Sequence, residues 1–442
     1  MKIGEERMEK RFRYKSLEDL VFEASTFGIS FPLSENTRVF AQSLVVSGKT
    51  IPNRFVVQPM EGTDANPDGS PGPLTWRRYR RFALGGAGII WFEATAVSET
   101  ARANEKQLFL SAHTLDSFKK LVMEVKETCL KENGYVPYLV VQLTHSGRFG
   151  KHKKIIFHDE YLDGVATIGK DHPVMTDEEL DALKYDFLKA AILSKEAGFD
   201  AVDIKACHRY LLSESLAAHT REGKYGGTYE NRTRLLKDIV SLVRKEVDID
   251  VVVRLNVSDF IPYPYGWGTD KQGMLDFREP RRLLLELKEL GVKMVNVTAA
   301  TPYLLPHVNR PYDQMGRHNP PEHPIVGTAR LIQLSKLVKE VVGDDVLVVG
   351  SGLSWLRQFS AFVGAGMLRE RYCDLVGYGR MAFAYPDFAR DILNKGFLDA
   401  NRVCITCSKC AELKAFNENC GCVVRDQETY LPIYKRMEER IK

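Results

Sequence analysis

With 442 residues, 44% of them hydrophobic and 27% charged, the chain has the length for a large core and the polarity of a globular protein rather than a fibrous or disordered one. A formal charge of +4 over that length is too small to mark a nucleic-acid or anionic-membrane surface, and no apolar run approaches the roughly 18 residues of a membrane span. The N-terminal stretch MKIGEERMEKRFRYK is charged throughout and lacks the apolar centre of a secretory signal, so the expected setting is the cytoplasm and the expected partners are small molecules or proteins.

Residues 1–40 precede the first strand-like run and read as an N-terminal extension. VVSGKTIPNR (45–54) reads as a hairpin that plugs the bottom of a barrel. Eight short apolar, β-rich runs then recur: RFVVQP (54–59), GIIWFEA (88–94), YLVVQL (138–143), DAVDIK (200–205), DVVVRL (250–255), KMVNVT (293–298), VLVVG (346–350) and DLVGYG (374–379). Segments with apolar residues at helical spacing come after them. One of these, TDEELDALKYDFLKAAILSKEAG, opens on a Thr176–Glu179 capping box and stops at Gly198. The alternation predicts an α/β fold, a closed (β/α)8 TIM barrel over residues 41–398, with an open doubly wound sheet as the rival. Residues 399–442 read as a C-terminal cysteine-rich segment.

In a barrel of this kind, chemistry sits where strands end and loops begin. The predicted tips carry Pro59, Met60, Ala94, Gln142, Lys205 and Arg254, several of them polar groups in otherwise apolar surroundings. Gly350, Ser351 and Gly352 at the seventh tip, and Gly379 and Arg380 at the eighth, would offer N–H groups and a guanidinium to a phosphate; plain tight turns account for the glycines equally well. GGAG (85–88) precedes a strand and so reads as a turn, not a dinucleotide fingerprint. KACHRYLL sets Lys205, His208 and Tyr210 just beyond the fourth run, although a histidine or tyrosine at a strand end is by itself more often structural. Five of the eight cysteines lie between Cys404 and Cys422. In a reducing compartment such a group binds metal or does redox work more often than it forms disulfides. Spacing alone leaves a four-thiolate iron–sulfur cluster and a structural zinc knot equally open. Cys129, Cys207 and Cys373 read as buried small hydrophobes.

The segments NRFVVQPM, GGAGIIWFEATAV, VQLTHSGR, Asp203 to Leu212, YGGTYENRTR and DLVGYGR, ordered over roughly residues 40–425, resemble the Old Yellow Enzyme family, in particular its branch of bacterial 2,4-dienoyl-CoA reductase and trimethylamine dehydrogenase. The resemblance implies a barrel binding FMN, with a hydride passing between the flavin and an activated carbon–carbon double bond. Carried over by position, Pro59, Met60 and Ala94 would line the flavin ring, Gln142 would meet its pyrimidine edge and Arg254 its electron-rich side. Gly350, Ser351, Gly352, Gly379 and Arg380 would hold the phosphate. Tyr210 stands where the family has its proton donor; His208 and Lys205 stand where it has a His/His or His/Asn pair that activates the carbonyl. Lys205 departs from that pattern, and an ammonium there would instead suit a carboxylate or a neighbouring acid. His307, on the loop beyond the sixth strand where the branch uses a histidine, falls several residues late.

The branch also follows its barrel with cysteines that ligate a 4Fe-4S cluster. Here these correspond to Cys404, Cys407 and Cys410, with Cys422 favoured over Cys420 as the fourth. No G-x-G-x-x-G follows a strand, so the expected electron source is a separate FAD-containing reductase or a ferredoxin, with direct reduction by NADH or NADPH also open. The expected activity is an ene-reductase acting on a small-molecule α,β-unsaturated carbonyl compound: an enone such as a 3-oxo-steroid, an enoyl thioester or an unsaturated acid. The alternatives are oxidation of an amine or ketone, and electron transfer without a substrate. Self-association is left open.

Overall fold

Every one of the eight predicted runs is a strand, and the eight close on themselves. The computed structural model describes residues 11–316 and 318–441. Two short strands, β1 (Leu44–Val46) and β2 (Lys49–Ile51), form the expected antiparallel hairpin, turning through Ser47 and Gly48 with φ of 46° and 79°. The barrel follows: β3 (Phe55–Val57), β4 (Ile89–Ala96), β5 (Tyr138–Thr144), β6 (Ala201–Ile204), β7 (Asp250–Asn256), β8 (Met294–Thr298), β9 (Leu347–Gly350) and β10 (Leu375–Tyr378). Neighbours pair in parallel, and β10 returns to β3 through Val376↔Phe55 and Tyr378↔Val57. Closure excludes the open doubly wound alternative. The strands are buried on both faces, which is why they read as continuous apolar runs instead of alternating ones.

Helices form the outer layer. The one over Asp177–Ala197 starts as its sequence dictates: Thr176 Oγ1 accepts from Glu179 N at 3.2 Å, and Glu179 Oε2 accepts from Thr176 N at 2.8 Å. Gly198 ends it with φ 93°. Ahead of the hairpin, Tyr14, Leu20, Ala24, Phe31 and Phe40 are buried in the same apolar core as the barrel's outward strand faces and helices. At the other end Leu413, Val423, Tyr430, Tyr434 and Met437 form a satellite cluster beneath the terminal helix Gln427–Ile441.

The barrel interior is a second apolar cluster in which Val56, Ile89, Trp91, Val140, Val252 and Val349 meet Val46 and Ile51 of the hairpin. The hairpin therefore packs against the inward-facing side chains, with Ile51 fully buried while Val45 stands 68% exposed. Ile51→Ala is expected to cost about 2–5 kcal/mol of stability, the range for emptying a buried aliphatic site. Val45→Ala should stay within about 0.5 kcal/mol. Denaturant unfolding of the two variants measures the contrast; equal midpoints would mean that the hairpin does not seal the interior.

Candidate functional site

Asp203 on β6 organises the barrel mouth. Its carboxylate accepts from Trp91 Nε1 at 3.0 Å, from Gln142 Nε2 at 2.6 Å and from the backbone N of Arg254 at 2.7 Å. Burial pushes its carboxyl up to about 6, against the Gln142 and Arg254 hydrogen bonds that favour the charge. A reciprocal amide pair, Gln58 with Asn296 at 2.8 and 3.1 Å, fills the neighbouring position. Gln142 is thereby fixed through its amide nitrogen, and Arg254 through its backbone. The buried Nε of Arg254 has no protein partner.

The run after β6 turns sharply. His208 and Arg209 both take left-handed backbone conformations, φ 63° and 60°, which non-glycine residues hold only when their surroundings compel it. Arg209 is the clamp: fully buried, it donates to Asp159 Oδ2 at 2.5 Å, Asp259 Oδ2 at 3.0 Å and Tyr265 O at 2.6 Å. The turn delivers His208 and Tyr210 to the mouth. His208 Nε2 lies 3.3 Å from Thr298 Oγ1 on β8; burial, with the charge of Arg254, holds its pKa well below the usual histidine range, so the imidazole is neutral. Tyr210 Oη lies 2.8 Å from Tyr303 Oη. Burial and the charge of Glu61 hold its pKa well above the usual phenol range, so it stays protonated.

Lys205 and Tyr210 are brought together: the ammonium sits 3.8 Å from the centre of the Tyr210 ring. Its other neighbour is Glu61 Oε1 at 3.7 Å, and Glu61 Oε2 in turn takes Lys414 Nζ at 2.7 Å. Burial pulls Lys205 down to about 8 against the opposing pull of Glu61. Although burial opposes it, Lys414 and Lys205 together hold Glu61 below the ordinary carboxylate range. Glu61, Lys414 and Tyr303 carry no signal in the sequence, since they come from the first barrel loop, the cysteine segment and the loop after β8. His307 lies apart, on the short helix Pro306–Asn309, within the field of Glu322 and Arg330.

Across the mouth, Gly352 turns with φ 96°, where an added Cβ would stand 2.4 Å from Leu331 Cδ1. Ser351 lies between it and Gly350, its hydroxyl 3.4 Å from Val297 O. A Cβ on Gly379 would stand 3.0 Å from Met60 Sδ, so the β3 and β10 tips touch; Pro59, beside Met60, and Ala94 on β4 are buried. Arg380 donates to Pro311 O at 2.7 Å, yet its Nη1 is buried without a partner. Arg310, also missed in the sequence, has an unpartnered buried Nη1 as well, and burial beside the Arg380 charge pulls it down to about 10. Two neighbouring guanidinium groups with unfilled donors suit a phosphate, and the unfilled Arg254 Nε suits an electron-rich acceptor. The residues present therefore fit a phosphorylated flavin.

Cys404, Cys407, Cys410 and Cys422 line one cavity with Arg380 and Phe383. Cys420 does not: its thiol donates to Cys410 O at 2.9 Å, and its backbone N to Gly62 O at 2.7 Å. Burial pushes Cys404 up to about 12, with Arg380 opposing. Among the described residues no group of three or more His, Cys, Asp or Glu side chains is arranged to hold a single metal ion, so the side-chain geometry by itself selects neither the zinc knot nor the cluster.

Residues 42–397 match the model of the NADH:flavin oxidoreductase / NADH oxidase family. The NADPH dehydrogenase of Bacillus subtilis (strain 168) is 31% identical over 265 residues, covering 58% of this chain and 72% of the relative. Two solved structures share the fold: a 2-naphthoyl-CoA reductase complex at TM-score 0.70 and 19% identity, covering 88% of this chain and 57% of that one, and Old Yellow Enzyme from Pichia sp. AKU4542 at TM-score 0.63 and 20% identity, covering 81% and 87%. This chain thus spans little more than half of the first.

Asp203→Asn tests the organising role of the carboxylate. Because the folded pKa of about 6 lies above the ordinary 3.8, the neutral acid is the form that folding favours. Its contribution is complete below pH about 4 and is lost as pH rises through 6, a swing of about 3 kcal/mol. The stability advantage of the native chain over Asp203→Asn should therefore shrink across that window. An advantage that grows with pH there would mean the carboxylate is held ionised.

Proposed function

The chain belongs to the NADH:flavin oxidoreductase / NADH oxidase family, and from that premise we propose that it is an FMN-dependent ene-reductase that saturates the C=C bond of an α,β-unsaturated carbonyl compound. One observation carries the reading: a protonated phenol, Tyr210, and a neutral imidazole, His208, stand on one strained turn at the barrel mouth, beside the unfilled donors of Arg254, Arg310 and Arg380. FMN would be held by Pro59, Met60 and Ala94 along the ring, Gln142 at the pyrimidine edge, Arg254 at the electron-rich side, and Gly350, Ser351, Gly352, Gly379, Arg380 and Arg310 at the phosphate. Bound there, it would supply the hydride equivalent.

The protein's own work is proton and charge management. His208 keeps an N–H for the substrate carbonyl oxygen, which polarises the double bond and stabilises the enolate. Tyr210 holds the proton that the α-carbon receives. Lys205, paired with Glu61, sets a positive charge against the Tyr210 ring and favours the phenol's loss of its proton. Enones, enoyl thioesters and unsaturated acids all present the required carbonyl. NADPH or NADH as reductant is in keeping with the family description and with the name of the Bacillus relative.

Four cysteine thiols around a single cavity make a donor set of the kind that takes an iron–sulfur cluster. We infer that Cys404, Cys407, Cys410 and Cys422 hold 4Fe-4S, which would supply electrons one at a time from a ferredoxin or a separate FAD-containing reductase. Iron and acid-labile sulfide should be found in near equal amounts in anaerobically purified protein. Cys422→Ser should lose most of both, and Cys420→Ser should keep them; zinc without sulfide would overturn the assignment.

Tyr210→Phe keeps the ring and removes the hydroxyl that carries the proton. The variant is expected to bind one FMN per chain and to accept electrons, yet to be reoxidised by an enone slower by about 10²-fold or more. Full reoxidation rates in Tyr210→Phe, or a chain that holds no flavin, would refute the reading.

A further inference from the structure

A buried proton donor has to be recharged. Tyr210 is 2% exposed, and among the described residues its hydroxyl has one hydrogen-bond partner, Tyr303 Oη at 2.8 Å, with either oxygen able to donate. Tyr303 is the outer member of the pair: 37% of the residue is exposed, while its hydroxyl contact with Tyr210 is part-buried. Its ring is held by stacking on Phe149, centroids 3.8 Å apart at 16°, and stands edge-on to Tyr210 at 88°. The loop that carries it is tied to the catalytic turn, since Thr301 Oγ1 donates to His208 O at 3.0 Å.

Resting on the assignment of Tyr210 as proton donor, we propose that Tyr303 is the positioning residue that returns a proton to Tyr210 after each turnover, the two phenols forming a relay from solvent to the substrate's α-carbon. In the first step the Tyr210 O–H bond breaks as the α-carbon–H bond forms. The Tyr210 phenolate then takes the Tyr303 proton, and Tyr303 takes one from water. No electrons move in the relay, and one solvent proton is consumed for each enolate quenched.

The charges around the pair suit this traffic. Lys205, 3.8 Å over the Tyr210 ring, favours its transient phenolate, while Glu61 opposes a lasting one. On Tyr303 burial and Glu61 raise the pKa, and Lys414 draws it down. Cys207, pushed up to about 11 by burial, and His208 are neutral and add no competing charge. His307, the histidine of the same loop, lies in the field of Glu322 and Arg330 and has no part in the path.

The test uses flavin-loaded protein, with cyclohex-2-en-1-one as the probe and reduced methyl viologen as electron source. Tyr303→Phe keeps the stack on Phe149 and removes the transferable proton. It should slow turnovers after the first by at least tenfold more than it slows the first, because Tyr210 starts charged. Added imidazole should restore the later turnovers at least threefold and leave the native protein unaffected. Equal slowing of all turnovers, no slowing, or absence of rescue would each overturn the relay. Should Tyr303→Phe fail to fold, Tyr303→His carries the same test: its later turnovers must follow an imidazole titration, and a flat pH profile would overturn the proposal. A parallel Tyr210→Phe arm separates the failures. Native rates there remove the proton-donor assignment itself; a slow Tyr210→Phe beside a native Tyr303→Phe removes only the relay.

Discussion

The barrel mouth depends on a single carboxylate. Asp203 ties β6 to Trp91 on β4, Gln142 on β5 and the backbone of Arg254 on β7, so four consecutive strands share one polar anchor inside an otherwise apolar cylinder. Below it the interior is filled by apolar side chains and closed by the hairpin; above it stand the side chains of the proposed site. A buried carboxylate with three donors is costly to create and hard to displace. That rigidity is what lets the side chains at the strand ends keep fixed positions.

Strain at the β6 turn is the second constraint. Two successive left-handed residues would relax if free, and they are held because Arg209 lies between Asp159 and Asp259, both fully buried. Removing Arg209 would leave two buried carboxylates without their cation. None of the three charges does chemistry, yet together they fix the direction in which His208 and Tyr210 point.

How legible this was in the sequence follows from the range of each signal. The strands were readable because a parallel barrel buries both faces of each strand, so VVQ, IIW and VVVR announce themselves locally. The hairpin was readable from Ser47-Gly48, and the long helix from Thr176, Glu179 and Gly198, all cues confined to a few residues. Glu61, Lys414, Tyr303 and Arg310 carry no such cue. Each is an ordinary polar residue in a loop or short helix, and its meaning lies in partners contributed from across the fold: Glu61 to Lys414 joins the first barrel loop to the last segment. Lys205 shows the boundary well. The sequence marked it as a departure with two readings, and only the geometry pairs it with Glu61. Cys422, favoured over Cys420 from the resemblance, lines the shared cavity, whereas the Cys420 thiol turns to Cys410 O.

Gly62 makes the barrel and the cysteine segment one object. Its N–H goes to Glu93 Oε2 at 2.6 Å, its carbonyl takes the Cys420 N–H, and a Cβ there would strike the Arg78 guanidinium that also pairs with Asp64 and Glu93. Next to it Glu61 reaches Lys414. The C-terminal segment is therefore not an appendage that can be grafted onto, or clipped from, a barrel of this kind at its linker. Loss of the segment would bare the Glu61 carboxylate and the Gly62 carbonyl, each left without the partner it has here.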